Sequence, residues 1–565
     1  MANALVAVVG VVSLVTVAAS AERLGLAAPL ALVVVGGALG FVPGVPVPDV
    51  PPELILAGVL PPLMYSAAVN MPGTDFRRNR KVIFGLAVLL VVVTTLLVGW
   101  LLNRLIPEIP LPVAFAVGAV VSPTDAVAAT SVGRRLGLPS RLLTILEGEG
   151  LVNDATSLVL LRSAVAAVAT SVSIGGVAAE FLYSVVVASL VGWVVGHLGV
   201  VVRARLADPV MGTALSFVVP YAAFIPAEEL EASGILAVVV TGLVTGGHGP
   251  RLLSAADRLS DLTNWRTIAF LLESAVFLFM GLSLHGLVDE VGRHHLSVGH
   301  SLLLGLAASG LVVLVRIVFL PFLMATVRRE EQRAQRAVPR LDVIRTRLDE
   351  RPDDRRKVRF ERRLTRVSAD VRFVLEDTLG WRAGAVLAWS GMRGAITVAA
   401  AQTLPEDTPL RPELILVAFV VAATTLLLQG LSLPSVIKAA KVPPDDPDAL
   451  REDLVSLIGE MSARGAEVLE RAERDGSVPP KVIAKVREDE RIPAGSKARP
   501  GADVPPDFDA VREQYRRLRL RVIEAERAAL LDARRNGTHR TASISRAQVR
   551  LDAEELALTP PPSGN

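Results

Sequence analysis

The sequence predicts an all-α integral membrane protein of about 13 transmembrane helices followed by a helical tail in water. Three observations predict it. Of the 565 residues, 51% are hydrophobic against 20% charged. Mean hydropathy is +0.48, above the level of ordinary soluble domains. The charge is also segregated: residues 1–326 carry long apolar runs, whereas 327–380 and 440–565 are dense in Arg, Glu and Asp. The absence of cysteine excludes disulfides, thiolate metal sites and cysteine nucleophiles. A formal net charge of +3 and 4% aromatics argue against a nucleic-acid partner.

Each crossing takes about 20 mostly apolar residues. Candidates run over 4–20, 26–42, 53–70, 81–105, 111–131, 142–170, 177–203, 209–226, 231–246, 264–287, 298–326, 383–405 and 410–438. Ala18, Ala19 and Ser20 resemble a signal-peptide cleavage site, but no Lys or Arg precedes the first apolar run and Arg23 follows it. It is therefore read as a span. This divides the chain into a transmembrane domain over 1–438 and a tail over 439–565, with an arginine-rich internal loop at 328–380.

Short cytoplasmic loops hold an excess of Lys and Arg. Arg77, Arg78, Arg80 and Lys81, then Arg134, Arg135 and Arg141, then Arg203 and Arg205, then Arg251, Arg258 and Arg266 all fall on one side. The alternate connections 43–52, 170–176, 227–231 and 404–410 are poor in basic residues. The N-terminus is thus expected outside and the loop 328–380 and tail inside, in a cell membrane. The loop after span ten is an exception, since Arg293, His294 and His295 would lie outside. In the tail, 448–472 and 508–535 read as amphipathic helices, broken by Pro-rich 443–447 and 500–506 and bearing only hydrated charges.

An ionised side chain at mid-bilayer costs roughly 2.5–3.5 kcal/mol, so such residues face a protein interior or a watery path. This chain places Asp125 in span five, Glu149, Asp154 and Arg162 in span six, Glu273 in span ten, Arg316 in span eleven and Arg393 in span twelve. Two of these spans are interrupted. In Val121-Ser122-Pro123-Thr124-Asp125 the proline removes a helix donor, and in Ser390-Gly391-Met392-Arg393-Gly394 two glycines flank an arginine. Interrupted segments in corresponding positions of two halves mark a transporter site near the membrane midplane. Two inverted repeats of about six spans each, joined by span seven, would place spans five and twelve in equivalent positions. Asp125 and Arg393 would then neutralise the exposed half-helix ends.

In Glu147-Gly148-Glu149-Gly150-Leu151-Val152-Asn153-Asp154, helical spacing sets 147 and 154 on one face and 149 and 153 on another. Asp154 is expected deepest of these acids. Desolvation disfavours a charged carboxylate, so a proton and a hard monovalent cation compete for the same oxygens. A site that crosses only when occupied by one or the other is an exchanger. A single carrier carboxylate beside neutral Asn153 predicts one-for-one, electroneutral exchange.

The run from Ser122 to Val127, then Gly137-Leu138-Pro139, Glu147-Gly148-Glu149 and Asn153-Asp154, resembles the bacterial sodium/proton exchanger family of monovalent cation/proton antiporters. Leu60-Pro61-Pro62-Leu63-Met64-Tyr65, the segment Trp389 to Ala395 and Pro405 extend the resemblance over roughly 4–438. It implies a homodimer of 13-span chains, with spans five and twelve unwound and crossing in a core of about 81–170 and 298–438. Asp154 would bind the ion and carry the proton, with Na+ at Asp154 and Asp125. Thr124 would help complete the site, Asn153 would stabilise it, Arg393 would balance charge, and Glu149 with Arg316 would link core helices. The sequence departs from the family pattern at Ser66, where many relatives place an acid, and at Gly150, where they place Ser. Both changes remove oxygen ligands, and Glu273 is the acid expected to compensate.

Partners are thus Na+, with Li+ or K+ as alternatives, H+ and the lipid bilayer, without a cofactor or enzymatic activity. A potassium/proton exchanger of the same fold is the alternative, since both ions prefer oxygen ligands. A cation channel would need a filter ring, and a membrane prenyl transferase would need paired acid-rich motifs; neither pattern is present, nor are phosphate-loop or zinc-helix motifs.

Overall fold

The computed structural model describes residues 2–43, 50–169, 174–206, 208–293, 297–349, 355–491 and 509–559, and these form helices and connections without a strand. His294, His295, 170–173 and 500–506, invoked above, lie outside the described residues. So does 44–49 of the connection 43–52.

The chain opens with α1 (Ala2–Arg23) and α2 (Ala28–Gly40), then α3 (Leu60–Asn70), α4 (Gly73–Phe84) and α5 (Val91–Leu105). The fifth predicted span is two short helices, α6 (Leu111–Val121) and α7 (Ala126–Arg135), followed by α8 (Ser140–Ala169). Next come α9 (Ile174–Arg203), α10 (Pro209–Glu229), α11 (Gly234–Leu252), α12 (Ala255–Leu282) and α13 (Leu284–Gly292). The 52-residue α14 (Val298–Asp349) leads to α15 (Arg355–Glu376), a second broken pair α16 (Trp381–Trp389) and α17 (Ala395–Gln402), and α18 (Arg411–Ala440). The C-terminal helices are α19 (Pro447–Arg474), α20 (Pro480–Arg491), α21 (Asp509–Asn536) and α22 (Thr541–Leu558).

Nine helical stretches among the described residues are long and apolar enough to cross a membrane, and three shorter apolar helices accompany them. The α16 and α17 halves are each too short: nine residues rise only about 13 Å against about 30 Å of hydrocarbon.

The chain divides into two compact units. The first comprises Met1–His248, Asp261–Glu330 and Thr378–Pro444. Its main core joins α5, α6 and α8 to α14, α16, α17 and α18. The apolar stretch of α18 is 72% buried and that of α9 only 22%, so α18 lies at the centre of this unit and α9 at its edge.

The second unit comprises Gly249–Ser260, Glu331–Asp377 and Asp445–Asn565. Part of its charge-dense sequence is continuous helix, because Arg, Glu, Gln and Ala between 328 and 337 are strong helix formers that prolong α14. The tail helices, expected as amphipathic and solvated, share a core of Leu457, Met461, Leu469, Tyr515, Leu518, Val522, Leu530, Ile544 and Leu551. Their amphipathic faces meet one another, which shields them from water. Buried Asp552 receives Arg258 and Arg527, and Asp446, expected as a hydrated charge, caps α19 through the Asp448 N–H.

Candidate functional site

The site is built on the two helix interruptions. Helix α6 ends at Val121 because Pro123 has no N–H to continue the ladder. Ser122 Oγ turns back to the Gly118 carbonyl at 2.6 Å. The chain runs extended through Asp125, whose side chain caps α7 by accepting the Val127 N–H at 2.8 Å. An acid at that position offsets the positive end of the half-helix. The second interruption, Ser390 to Gly394, lies against the first: the Asp125 N–H donates to the Met392 carbonyl at 2.7 Å.

Glycine is required for this approach. A Cβ on Gly394 would stand 2.6 Å from Asp125 Oδ2, and one on Gly391 would stand 2.5 Å from Arg316 Cδ. Arg393, 2% exposed, spends its guanidinium on carbonyls freed by the breaks: Nε donates to Val121 O at 3.1 Å, Nη2 to Ser122 O at 3.4 Å, and Nη1 to Gly391 O. The cation thus sits at the negative end of α6.

Glu149 and Asn153, one turn apart on α8, both reach Thr124. Thr124 Oγ1 donates to Glu149 Oε1 at 2.8 Å. Asn153 Nδ2 donates to Thr124 O at 3.0 Å and to its Oγ1 at 2.9 Å. Arg316 holds Glu149 with both terminal nitrogens, Nη2 to Oε2 at 2.8 Å, and its Nε donates to Leu387 O in α16 at 2.9 Å. This chain of contacts ties α14, α8, α16 and the first interruption together. Sequence spacing does not reveal the Asn153 to Thr124 link, because the unwound backbone that needs the donor is 29 positions away.

The other face of α8 lines a cavity of about 510 Å³. Asp125, Asp154, Glu273, Thr124, Ser66 and Glu147 all contribute to its wall. Among the described residues no hydrogen bond or ion pair engages the Asp154 carboxylate, and Asp125 is near enough for the two charges to repel. Glu273 is within the same electrostatic reach of Asp125, and its buried Oε1 has no partner among the described residues. Ser66 Oγ also faces Trp265 O, at 3.4 Å.

Glu149 and Asp154 are both buried, 2% and 8% exposed, and Glu149 tolerates its burial because Arg316 neutralises it. Gly150 has a packing reason: a Cβ there would meet the Ala126 Cβ at 2.9 Å. Arg162 stands apart from the site, half-exposed and paired with Glu228 of α10.

Sequence reasoning missed three groups. Arg203, counted as a loop charge, is buried and paired with Asp261 at 2.7 Å. The side-chain polar atoms of Glu413 and Gln429 in α18 are buried with no hydrogen-bond partner among the described residues. Arg134 and Glu147 pair on the cavity wall; helical spacing set Glu147 on the face of Asp154 but gave no sign of its partner.

Residues 10–439 match the sodium/hydrogen exchanger transmembrane family. The chain is 30% identical to an uncharacterized Na(+)/H(+) exchanger of Mycobacterium bovis, over 99% of this chain and 96% of the relative. It is 28% identical to the Na(+)/H(+) antiporter ApNhaP of Aphanothece halophytica, over 72% of this chain and 68% of the relative. The solved sodium proton antiporter MjNhaP1 of Methanocaldococcus jannaschii at pH 8 shares its fold, with a TM-score of 0.56 at 16% identity over 79% of this chain and 99% of the other. On its membrane-spanning residues and its full-length likeness, this chain belongs to the sodium/hydrogen exchanger family.

Proposed function

We propose that the protein exchanges Na+, and also Li+, for H+ across the cell membrane by alternating access, one for one and without net charge movement. The carrying observation is the Asp154 carboxylate, free of any described hydrogen-bond or salt-bridge partner, on the wall of a cavity that meets the two helix interruptions. A buried acid without a counter-ion is unstable as an anion, so it is occupied by either a proton or a cation. Asp154 binds the ion and carries the proton. Asp125 and Thr124 complete the oxygen set, and Asn153 holds Thr124 in place. Arg393 and the Glu149–Arg316 pair keep their charges engaged with the backbone and each other, outside the exchange cycle. Glu273 adds an oxygen ligand that offsets the hydroxyl at Ser66.

In this reading the chain works as a homodimer whose core moves against a dimerisation domain, built on two inverted repeats. The N-terminus is outside and the arginine-rich segment and tail are cytoplasmic, as the loop charges require.

The test uses purified protein in liposomes with an imposed proton gradient and an internal pH dye. Sodium, lithium and potassium are added in turn, with and without a potassium/valinomycin clamp. Recovery on sodium that survives the clamp is expected. Recovery on potassium alone would assign the other ion, and a persistent one-way current would replace the antiporter with a channel.

A further inference from the structure

Helices α7 and α8 pack side by side and carry two polar pairs. At one end are Asp125, which caps α7, and Asp154; at the other are Arg134, in the last turn of α7, and Glu147. All four line the same cavity. Glu147 precedes Asp154 by seven residues, about 10 Å along one face of the helix. Exposure falls along this line: the Arg134 side chain is 63% exposed, Glu147 27%, and Asp154 as a residue only 8%. The Arg134–Glu147 end is therefore the wetter end.

Arg134 Nη2 contacts Glu147 Oε1. An ion pair this exposed adds little to stability, because water screens it and two side chains lose freedom to make it. Its position is the informative feature. A carboxylate at a cleft mouth concentrates cations there, and an arginine beside it cancels that field.

We propose that Glu147 is an outer cation subsite on the path to Asp154, and that Arg134 regulates it by occupying the Glu147 carboxylate between ion arrivals. This rests on the exchange reading above. A monovalent cation entering from the Arg134 end exchanges with the guanidinium for the Glu147 oxygens and then moves along the α8 face to Asp154 and Asp125. Glu147 is a binding residue for the entering ion, and Arg134 a positioning residue that sets how available it is. No proton is assigned to the pair.

The pairing demands effects of opposite sign. Glu147→Gln removes the subsite and is expected to raise the apparent KM for sodium about three- to tenfold, with the maximal rate within about twofold of wild type. Arg134→Gln frees the carboxylate and is expected to lower the apparent KM. The double variant should fall between the two single variants, because it leaves no net charge at the mouth. Raising ionic strength with choline chloride should bring all the KM values together, as screening removes the field at the mouth.

Initial rates of sodium-driven pH recovery in liposomes containing the full chain test this. KM shifts of opposite sign that collapse with salt are the expected result. Shifts of the same sign, salt-independent shifts, or unchanged KM in a folded Glu147→Gln protein would overturn the proposal. If Glu147→Gln does not assemble, Arg134→Gln decides by itself: a lowered KM supports the subsite and a raised or unchanged one refutes it. Failure of the exchange reading is seen separately, as wild-type protein that gives no cation-driven recovery at all.

Discussion

The backbone N–H of Asp125 donates to the carbonyl of Met392 at 2.7 Å, joining the interruption between α6 and α7 to that between α16 and α17. Each break frees backbone groups that the other satisfies. Arg393 takes the freed carbonyls of Val121 and Ser122, and Asp125 takes the freed Val127 N–H. Non-helical backbone within a membrane is tolerated only when buried in protein or lining a cavity, and here Ser122, Arg393 and Met392 are buried while Thr124, Asp125 and Gly394 line the cavity.

That joint leaves no room for a side chain at Gly394, where a Cβ would stand 2.6 Å from Asp125 Oδ2. Gly394→Ala is expected to cut exchange by about tenfold or more through displacement of that carboxylate, because a misplacement of about 1 Å can cost that much. Transport by the variant at near wild-type rate, in protein that remains monodisperse, would show that the contact is not needed.

The Glu149–Arg316 pair predicts a stability effect. Both side chains are almost wholly buried, and breaking such a pair from one side costs about 3–5 kcal/mol. Arg316→Met should lower the unfolding temperature of detergent-solubilised protein substantially. The double variant Glu149→Gln with Arg316→Met should recover part of the loss, since no charge is left alone. A double variant less stable than the single would contradict this.

Glu273 carries a prediction about affinity. Its unpartnered oxygen shares the cavity with Asp125 and Asp154, and Glu273→Gln should weaken apparent sodium affinity about threefold or more by removing a negative charge from the cavity wall. Unchanged affinity would remove Glu273 from the ion site.

In the second unit His539 joins the α21–α22 turn to α19. Its Nδ1 lies 2.9 Å from Asp453 Oδ1 and its Nε2 3.2 Å from Glu460 Oε1. The hydrogen bond to Asp453 raises the His539 value above its usual 6.5, with burial opposing. Burial works against the Asp453 anion, but hydrogen bonds from His539, Ser543 and the Arg540 N–H hold its value below the usual 3.8. A raised histidine stabilises the fold fully below about pH 6.5 and loses that contribution as pH rises through the folded-state value. The lowered aspartate contributes above about pH 3.9 and loses it on acidification. Hydrogen exchange of α19 in the full-length protein should therefore quicken as pH rises beyond about 6.5 once intrinsic exchange rates are divided out. In His539→Gln this pH dependence should disappear; its persistence would contradict the role of the pair.

Much of this arrangement was legible in the sequence because the relevant signals are local. Pro123 and the glycines at 391 and 394 announce the two breaks, and helical spacing set Glu147 and Asp154 on one face of α8 and Glu149 and Asn153 on another. The rest depends on tertiary contacts. The pairing of Arg203 with Asp261 joins residues 58 positions apart, and sequence alone made Arg203 a loop charge. The tail helices were legible as amphipathic but not as partners of one another, since an apolar face does not name what covers it.

The role of Asp154 as carrier is tested most directly by sodium-driven pH recovery with purified Asp154→Asn protein in liposomes, measured beside wild type from about pH 6 to 9. The variant is expected to assemble normally and give no recovery at any pH, because its side chain carries neither the proton nor the charge that competes for it. Retained exchange in the assembled variant would contradict the assignment of Asp154 as the carrier.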